Sequence, residues 1–372
     1  MTGPLTGLRV VEVGGIGPGP FAGMMLADLG AEVIRVERDE SGRRAHSLLL
    51  RGRRSVQLDL KSPRGREAVL ALADTAEVLL EGFRPGVMER LGLGPDVVLA
   101  RNPRLVYGRV TGWGQDGPLA PRAGHDINYI ALAGALEPVA GRDGAPTPPL
   151  NMLGDFGGGG MLAVCGVLAA LLSARATGRG QVVDAAVVDG AALMTAMLHS
   201  MRAERAWSAP RGENLLDGGA PFYGVYETRD GRWVAVGAIE PAFYAALLEG
   251  LGLTCELGGV AQDDTASWPR SRARIAARVR ERTRDEWVAA FAGADACLTA
   301  VLAPDELLAE PHLSARETFV TDGALAPAPA PRFSATPSAV PPPAPPVGAD
   351  TRAVLAELGL AGAAEATQGA PA

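Results

Sequence analysis

The feature that most constrains the fold of this chain is a short apolar run, Leu8–Val13 (LRVVEV), leading into a glycine-rich turn, Gly14–Pro20 (GGIGPGP). A stretch of helical spacing comes next, then a second strand, Glu32–Val36. Met24, Leu26 and Leu29 are the candidates for the inward face of the helix. Strand, helix and strand in succession predict a parallel pair, because parallel strands need a long crossover. The unit recurs. Ser55–Leu60 reads as a strand, Ser62-Pro63 as an N-cap with proline in the first helical position, and Arg64–Ala73 as a helix. Glu77–Phe83 and Arg104–Val110 read as further strands. Such alternation predicts an α/β fold with a large Rossmann-like parallel-sheet domain.

A loop rich in Gly and Pro (Gly112–Gly124) leads into GHDINY, and a second loop with Pro146, Pro148 and Pro149 leads into NMLGDFGGGG. A long apolar helix (Met161–Ala176), a strand (QVVDAAVV) and another helix (Gly190 to about Ala206) follow. The composition then shifts. Phe222–Thr228 and Arg232–Ala238 are strands separated by Arg-Asp-Gly, a hairpin signal. Glu240-Pro241 opens a helix, and Trp268–Arg284 is an arginine-rich helical stretch. The expected layout is a large domain over residues 1–210, completed by a returning segment at 325–372, and a smaller α+β domain over 215–320. Ala326–Pro346 is rich in Ala and Pro and reads as an extended connector. Thr351–Leu360 reads as a short helix, and the last ten residues as loose.

The net charge of −7 argues against nonspecific binding to nucleic acid or to an anionic membrane. Cys165, Cys255 and Cys297 are few, odd in number and widely spaced, which predicts reduced thiols and a cytoplasmic protein. The N-terminal residues lack a charged segment followed by an apolar one, so no signal peptide is expected. The longest apolar run, Met161–Leu172, falls short of the ~18 residues of a membrane span and reads as a buried helix.

The basic residues are distributed unevenly. Of 35 in the chain, 34 are Arg and one is Lys61. Between Arg35 and Arg66 there are ten basic residues and four acidic ones, a local +6 in a chain of −7. Either this is a solvated face, the usual fate of a charge run, or it receives an anionic ligand. Three features favour the ligand. The residues follow the carboxyl ends of strands, where α/β sheets bind ligands. Ser62-Pro63 opens a helix whose N-terminus favours a phosphate. Arg84 and Arg90 follow the next strand on the same expected edge.

The glycines at 15, 17 and 19 are spaced G-x-G-x-G, which is a weak dinucleotide fingerprint. Glu37 and Asp39 stand where a ribose carboxylate would. Arg35, Arg38, Arg43 and Arg44 crowd the same place and disfavour plain NAD, so a structural tight turn is the better reading. There is no GxxxxGK[ST], HExxH or GxSxG, and no cluster of Cys and His, so no metal site is expected. His46, His199 and His312 sit in ordinary contexts. His125 differs: it follows a glycine-rich loop at an apparent helix start, a position that suits an acid/base. Asp155 is one acid in an apolar stretch, followed by Phe156 and four glycines. It is either an N-cap of the helix near Met161 or a functional group beside a close backbone approach, where free N–H groups hold a developing anion.

Taken together, these segments resemble the α-methylacyl-CoA racemases, within the family III CoA-transferase fold group. The matching stretches are GLRVVEV-GGIGPGP, DLK (Asp59–Lys61), EGFRPGVMERLGLGP, RVTGWGQDGP, GHDINY, PPLNMLGDFGGG, GQVVDAAVVDG, LLDGGAPFYGVYE, AVGAIEP and APRFS (Ala330–Ser334). They cover nearly the whole chain and are weakest at 255–285 and in the Pro-rich tail. The resemblance implies an interlocked homodimer, with each site formed between the large domain of one subunit and the small domain of the other. It implies that His125 and Asp155 are the acid/base pair and that Glu240 orients the histidine. It implies coenzyme A contacts at Arg38, Leu58, Asp59, Leu60, Lys61, Gly82, Phe83, Arg84, Arg90, Gly124, Asp126, Ile127, Asn128 and Tyr129.

The chemistry implied is inversion of a 2-methylacyl-CoA thioester at the α carbon through an enolate. It needs two groups on opposite faces, each able to give or take a proton. Histidine suits this at its ordinary pKa. Aspartate suits it only if burial raises its pKa. No metal or redox cofactor is required, coenzyme A being part of the substrate. Backbone N–H groups near Asp155 and Gly157–Gly160 are the candidates for the enolate oxygen. Met152, Met161, Met194, Met197 and Met201 fall near this site, and either pack in the core or accommodate a variable acyl tail. The first alternative is a family III CoA-transferase with Asp155 as covalent nucleophile, for which a histidine at 125 is superfluous. A noncatalytic CoA- or nucleotide-binding module explains the arginines and glycines but not His125, Asp155 and Glu240 together.

Overall fold

The computed structural model of the chain describes residues 2–38, 47–141, 144–207, 209–321 and 324–360. Arg43 and Arg44 of the basic run, Asp39, His46 and the last ten residues lie outside the described residues. The chain divides into two compact units. The first takes residues through Ala135, Pro149–Thr195 and the chain from Glu317 onward; the second takes Leu136–Pro148 and Ala196–Arg316.

The main sheet of the first unit has six strands: β1 (Arg9–Val13), β2 (Glu32–Glu37), β3 (Arg53–Gln57), β4 (Val78–Glu81), β5 (Val106–Thr111) and β6 (Val182–Ala186). All pair in parallel, in the order β3-β2-β1-β4-β5-β6. The helices are α1 (Pro18–Asp28), α2 (Pro63–Asp74), α3 (Val87–Arg90), α4 (Pro95–Arg101), α5 (Asp126–Leu132), α6 (Leu162–Thr177) and α7 (Val187–Met194). Both faces of the sheet are covered, which is why its strands read as nearly continuous apolar runs. Val11, Val13, Ile34, Val36 and Leu79 face one core with α2 and α4. Val10, Val33, Val78, Leu80 and Val106 face the other with α1 and α6. The strand order reverses direction between β1 and β4, and the crevice at the carboxyl ends of such strands is where open α/β sheets take ligands.

In the second unit α8 (Ala196–Ala203) precedes an antiparallel sheet of β7 (Tyr223–Glu227), β8 (Trp233–Gly237) and β9 (Leu298–Ala300), in that order. Helices α9 (Pro241–Leu251), α10 (Thr254–Leu257), α11 (Trp268–Val279), α12 (Arg284–Ala290) and α13 (Pro311–Ala315) complete it. Phe222, Tyr226, Leu247, Trp268, Ile275 and Trp287 lie in a core of its own.

Several expected boundaries move. The helix expected from Gly190 to about Ala206 breaks at Thr195, whose hydroxyl donates back to Ala192 O (2.7 Å). The part beyond the break belongs to the second unit, not to the domain of 1–210. The first unit resumes at Glu317, eight residues before the expected 325, because β10 (Phe319–Thr321) pairs with β11 (Leu325–Pro327), whose Pro327 O accepts from Arg51 (2.7 Å). The stretch QVVDAAVV leaves the strand at Ala186 and turns helical at Val187. The arginine-rich stretch ends its helix at Val279, and a capping box at Thr283, with Glu286, starts another.

The Pro-rich connector runs past the free edge of β3, where Gly52 N donates to Pro342 O (2.8 Å). Ser55 N then donates to the Asp350 carboxylate (2.8 Å) and Gln57 N to the Thr351 hydroxyl (2.9 Å), at the start of α14 (Thr351–Glu357).

The largest departure lies at GDFGGGG. No loop is present: Met152–Met161 is π-helical and continuous with α6, giving one helical stretch of 26 residues, Met152–Thr177. By length and composition it is apolar enough to cross a membrane, but α6 packs on β5 and β6 and buries Val164, Val167 and Leu171.

Candidate active site

A cavity of about 710 Å³ opens at the carboxyl ends of β1, β4 and β5. Its walls include Gly17 and Pro18 after β1, Gly82, Phe83 and Arg84 after β4, and Trp113 after β5. His125, Tyr129, Asn151, Asp155 and Phe156 also line it.

His125 is the N-cap of α5, in extended backbone geometry. Asn128 Oδ1 accepts its backbone N–H (3.1 Å), so the cap is made by Asn128. The imidazole takes no part in it and faces the cavity. Tyr129 sits behind, its hydroxyl donating to Gly124 O and its ring edge-on to Trp113 at 4.7 Å. A Cβ on Gly112 would come within 2.0 Å of the Tyr129 ring, which accounts for that glycine.

Asp155 lies inside the π-helical stretch, so it is not the N-cap of a helix near Met161. Phe156 stacks on Phe21 at 4.5 Å and fixes the residue beside it. Asn151, four residues earlier on the same helical face, donates to Asp155 Oδ2 at 3.4 Å. Burial pushes the Asp155 carboxyl above the ordinary aspartate range, and the neighbouring Asp126 carboxylate adds to it. The Asn151 contact and His125 act in the opposite direction. An aspartate held this way is a better proton donor near neutral pH than a solvated one.

A second cavity of about 340 Å³ lies at the ends of β1, β2 and β3, and Phe83 lines both. Arg38, Leu58, Asp59, Leu60 and Lys61 line it with Gly14 and Gly15. The turn into α2 is as expected: Ser62 Oγ accepts from Gly65 N (2.9 Å), and the Asp59 carboxylate accepts from Lys61 N (3.0 Å).

Other expectations change. Much of the basic run is consumed internally. The register sets Glu12 opposite Arg35 and Arg35 opposite Ser55 across β1, β2 and β3. Arg35 pairs with Glu12 and Glu37, and also donates to Gly14 O and Gly15 O (both 3.0 Å). Arg53 pairs with the same Glu12, Arg51 with Asp28, and Arg54 with Glu32 and Glu357. At least four of the ten basic residues are therefore matched by acids among the described residues, most of them far away in sequence, and the +6 of the window overstates what meets a ligand. Arg35 pins the carbonyls of the glycine turn, and the Glu37 carboxylate is engaged by Arg35 and Ser55.

The four glycines are not among the residues that line the cavity. A Cβ on Gly158 would stand 2.7 Å from Ala191 N, one on Gly159 2.9 Å from Pro18, and one on Gly160 2.6 Å from Phe21. They let the helix pack backbone-to-backbone on α7 and against α1. Met152, Met161, Met194 and Met197 are exposed rather than packed in a core. Of the coenzyme A contacts expected, Arg90, Ile127 and Asn128 line neither cavity. Asp126 is buried beneath the site. Glu240 caps α9 in the second unit. Among the described residues no group of three or more His, Cys, Asp and Glu is placed to hold a metal ion. Sequence reasoning missed Gly17, Trp113, Asn151 and the buried role of Asp126. Asn151 was findable, since i and i+4 share a helix face.

A model of the family described as CoA-transferase family III matches residues 5–351. The chain belongs to CoA-transferase family III. Among members of the family, an alpha-methylacyl-CoA racemase of Mus musculus is 48% identical over 362 residues, covering 96% of this chain and 93% of that protein. The alpha-methylacyl-CoA racemase of Homo sapiens is 46% identical, covering 96% and 94%. Among solved structures, a CAIB/BAIF family protein from Brucella suis superposes with a TM-score of 0.83 at 26% identity, covering 96% of this chain and 100% of that one.

Proposed function

We propose that this family III protein racemises 2-methylacyl-CoA thioesters at the α carbon, by 1,1-proton transfer through an enolate. The observation that carries the reading is that His125 and Asp155, borne on separate elements, face one cavity. The racemases of mouse and human at 48% and 46% identity support the same substrate class.

One group removes the α proton as a base, and the other delivers a proton to the opposite face as an acid. The raised Asp155 carboxyl suits both halves of the cycle. In this reading the nucleotide end of coenzyme A lies in the smaller cavity, against Arg38 and Leu58–Lys61. The pantetheine passes Gly82, Phe83 and Arg84 toward His125. The enzyme works in the cytoplasm as an interlocked homodimer, and Glu240 orients the histidine.

The test is incubation of one enantiomer of a 2-methylacyl-CoA in D₂O, with and without a free carboxylic acid acceptor. Deuterium at the α carbon with loss of optical purity, and no thioester formed on the acceptor, is expected. Transfer of CoA to the acceptor without exchange would instead assign Asp155 as the nucleophile of a CoA-transferase.

A further inference from the structure

Asp126 follows His125 directly and opens α5, yet its side chain is turned away from the cavity and buried, with 7% of its surface exposed. Its Oδ1 accepts the backbone N–H of Asp155 at 2.5 Å, across 29 residues of sequence. Position 154 has to be glycine for this to happen, since a Cβ there would stand 2.3 Å from Oδ1. The other oxygen, Oδ2, is buried and has no hydrogen-bond partner among the described residues. A buried polar atom left unpaired costs free energy. Such atoms persist where an arrangement serves something other than stability.

We propose that Asp126 is a positioning residue, a clamp that joins the chain next to His125 to the backbone of Asp155 and so fixes the distance between the two acid/base groups. The inference rests on the racemase reading above. The geometry supports it from both ends. His125 and Asp126 are consecutive, so a displacement of Asp126 moves the histidine. The amide held by Oδ1 is that of Asp155 itself, so loosening the clamp rotates the helical turn that aims the carboxyl. The anchoring through Phe156 and Phe21 acts on α1 and does not reach α5. The clamp is the direct hydrogen bond between the two elements at the level of the reacting groups.

A loosened clamp has a signature that loss of folded protein lacks. With two aligned groups, removal of a proton from one face is followed by delivery to the other, and inversion accompanies exchange. When the second group is out of place, the first exchanges the abstracted proton for solvent deuterium and returns deuterium to the same face. Solvent exchange then continues while inversion stops. The ratio of α-deuterium exchange to inversion does not depend on how much of the sample is folded.

The experiment measures that ratio, with KM for the acyl-CoA, for Asp126→Ala, Asp126→Asn and Gly154→Ala. For Asp126→Ala the ratio is expected to rise about tenfold or more, with KM changed less than about threefold, since misplacement by an ångström costs up to 10²-fold in rate. Gly154→Ala, which forces the clamp open and leaves Asp126 in place, is expected to shift the ratio in the same direction. Asp126→Asn keeps an acceptor oxygen and is expected to bring the ratio back to within about twofold of the parent. An unchanged ratio in Asp126→Ala or Gly154→Ala overturns the proposal, and so does an Asp126→Asn enzyme that behaves like the alanine variant. If the parent protein itself shows neither exchange nor inversion, it is the racemase reading that fails.

Discussion

Gly17 stands against Asp155: a Cβ on Gly17 would lie 3.0 Å from Asp155 Oδ2. The glycine also sits at φ 71° and ψ −120°, a backbone conformation closed to residues with a side chain. The turn between β1 and α1 is thus shaped around the Asp155 carboxyl by two requirements at once. Gly17→Ala is expected to cost about 1–3 kcal/mol of stability from backbone strain. It is also expected to lower racemisation about tenfold or more by displacing Asp155. Thermal unfolding and the rate of loss of optical rotation measure the two effects. A variant of normal activity would show that the carboxyl does not depend on this contact.

Burial raises the Asp155 carboxyl, and that fixes a sign for stability against pH. In the folded chain the group keeps its proton over a range where the unfolded chain, at about 3.9, has lost it. Its contribution to stability is therefore fully present below the unfolded value and is lost as pH rises through the folded one. Asp155→Asn removes a carboxyl that burial penalises at neutral pH. The variant is expected to melt higher than the parent at pH 7, with the difference shrinking as pH falls toward 3, while its racemisation is abolished. Melting curves across that range check the sign. A variant that gains stability only in acid would reverse the assignment.

Glu12 is shared by Arg35 and Arg53 inside the sheet, where all three side chains are buried. Removing one partner of a buried ion pair leaves an uncompensated charge, at a cost of about 3–5 kcal/mol. Glu12→Gln is therefore expected to lower stability by that order, read from the denaturant midpoint. Because Arg35 also holds Gly14 O and Gly15 O, the variant is expected to bind coenzyme A less tightly as well.

Lys61 lines the smaller cavity and is the single lysine among 35 basic residues. An ammonium on a flexible stem and a planar guanidinium are not interchangeable at a phosphate. Lys61→Arg is expected to weaken coenzyme A by about fivefold, near the upper range of an exposed charge contact. Isothermal titration gives the comparison, and equal affinity would mean that the lysine's identity carries no role there.

The parallel sheet was legible because strands covered on both faces leave near-continuous apolar runs, and because Ser62-Pro63 is an unambiguous helix start. His125 and Asp155 were legible as isolated polar groups in unusual surroundings. The failures share a cause. A charge count along a window sees only neighbours in sequence, whereas Glu12, Asp28 and Glu357 reach the arginines through the fold. The expected helix starts only near Met161, after Gly157–Gly160, because glycine is a poor helix former. Close packing of Gly158 on α7 overrides that preference, and intrinsic propensity has no access to it. Asp126 is expected as a coenzyme A contact because the resemblance carries over the whole stretch from Gly124 to Tyr129. Only the folded backbone shows its carboxylate turned inward.

The free edge of β3 is closed by a side-chain imitation of a seventh strand, Asp350 and Thr351 accepting the N–H groups of Ser55 and Gln57. An uncovered edge of that kind recruits strands from other molecules. The residues that cover it come after the whole of the second unit in the chain. During synthesis the sheet consequently stays open at one side until Asp350 and Thr351 have emerged. A chain cut short near Val340 would carry nearly all of the core of each unit and still be an aggregation seed.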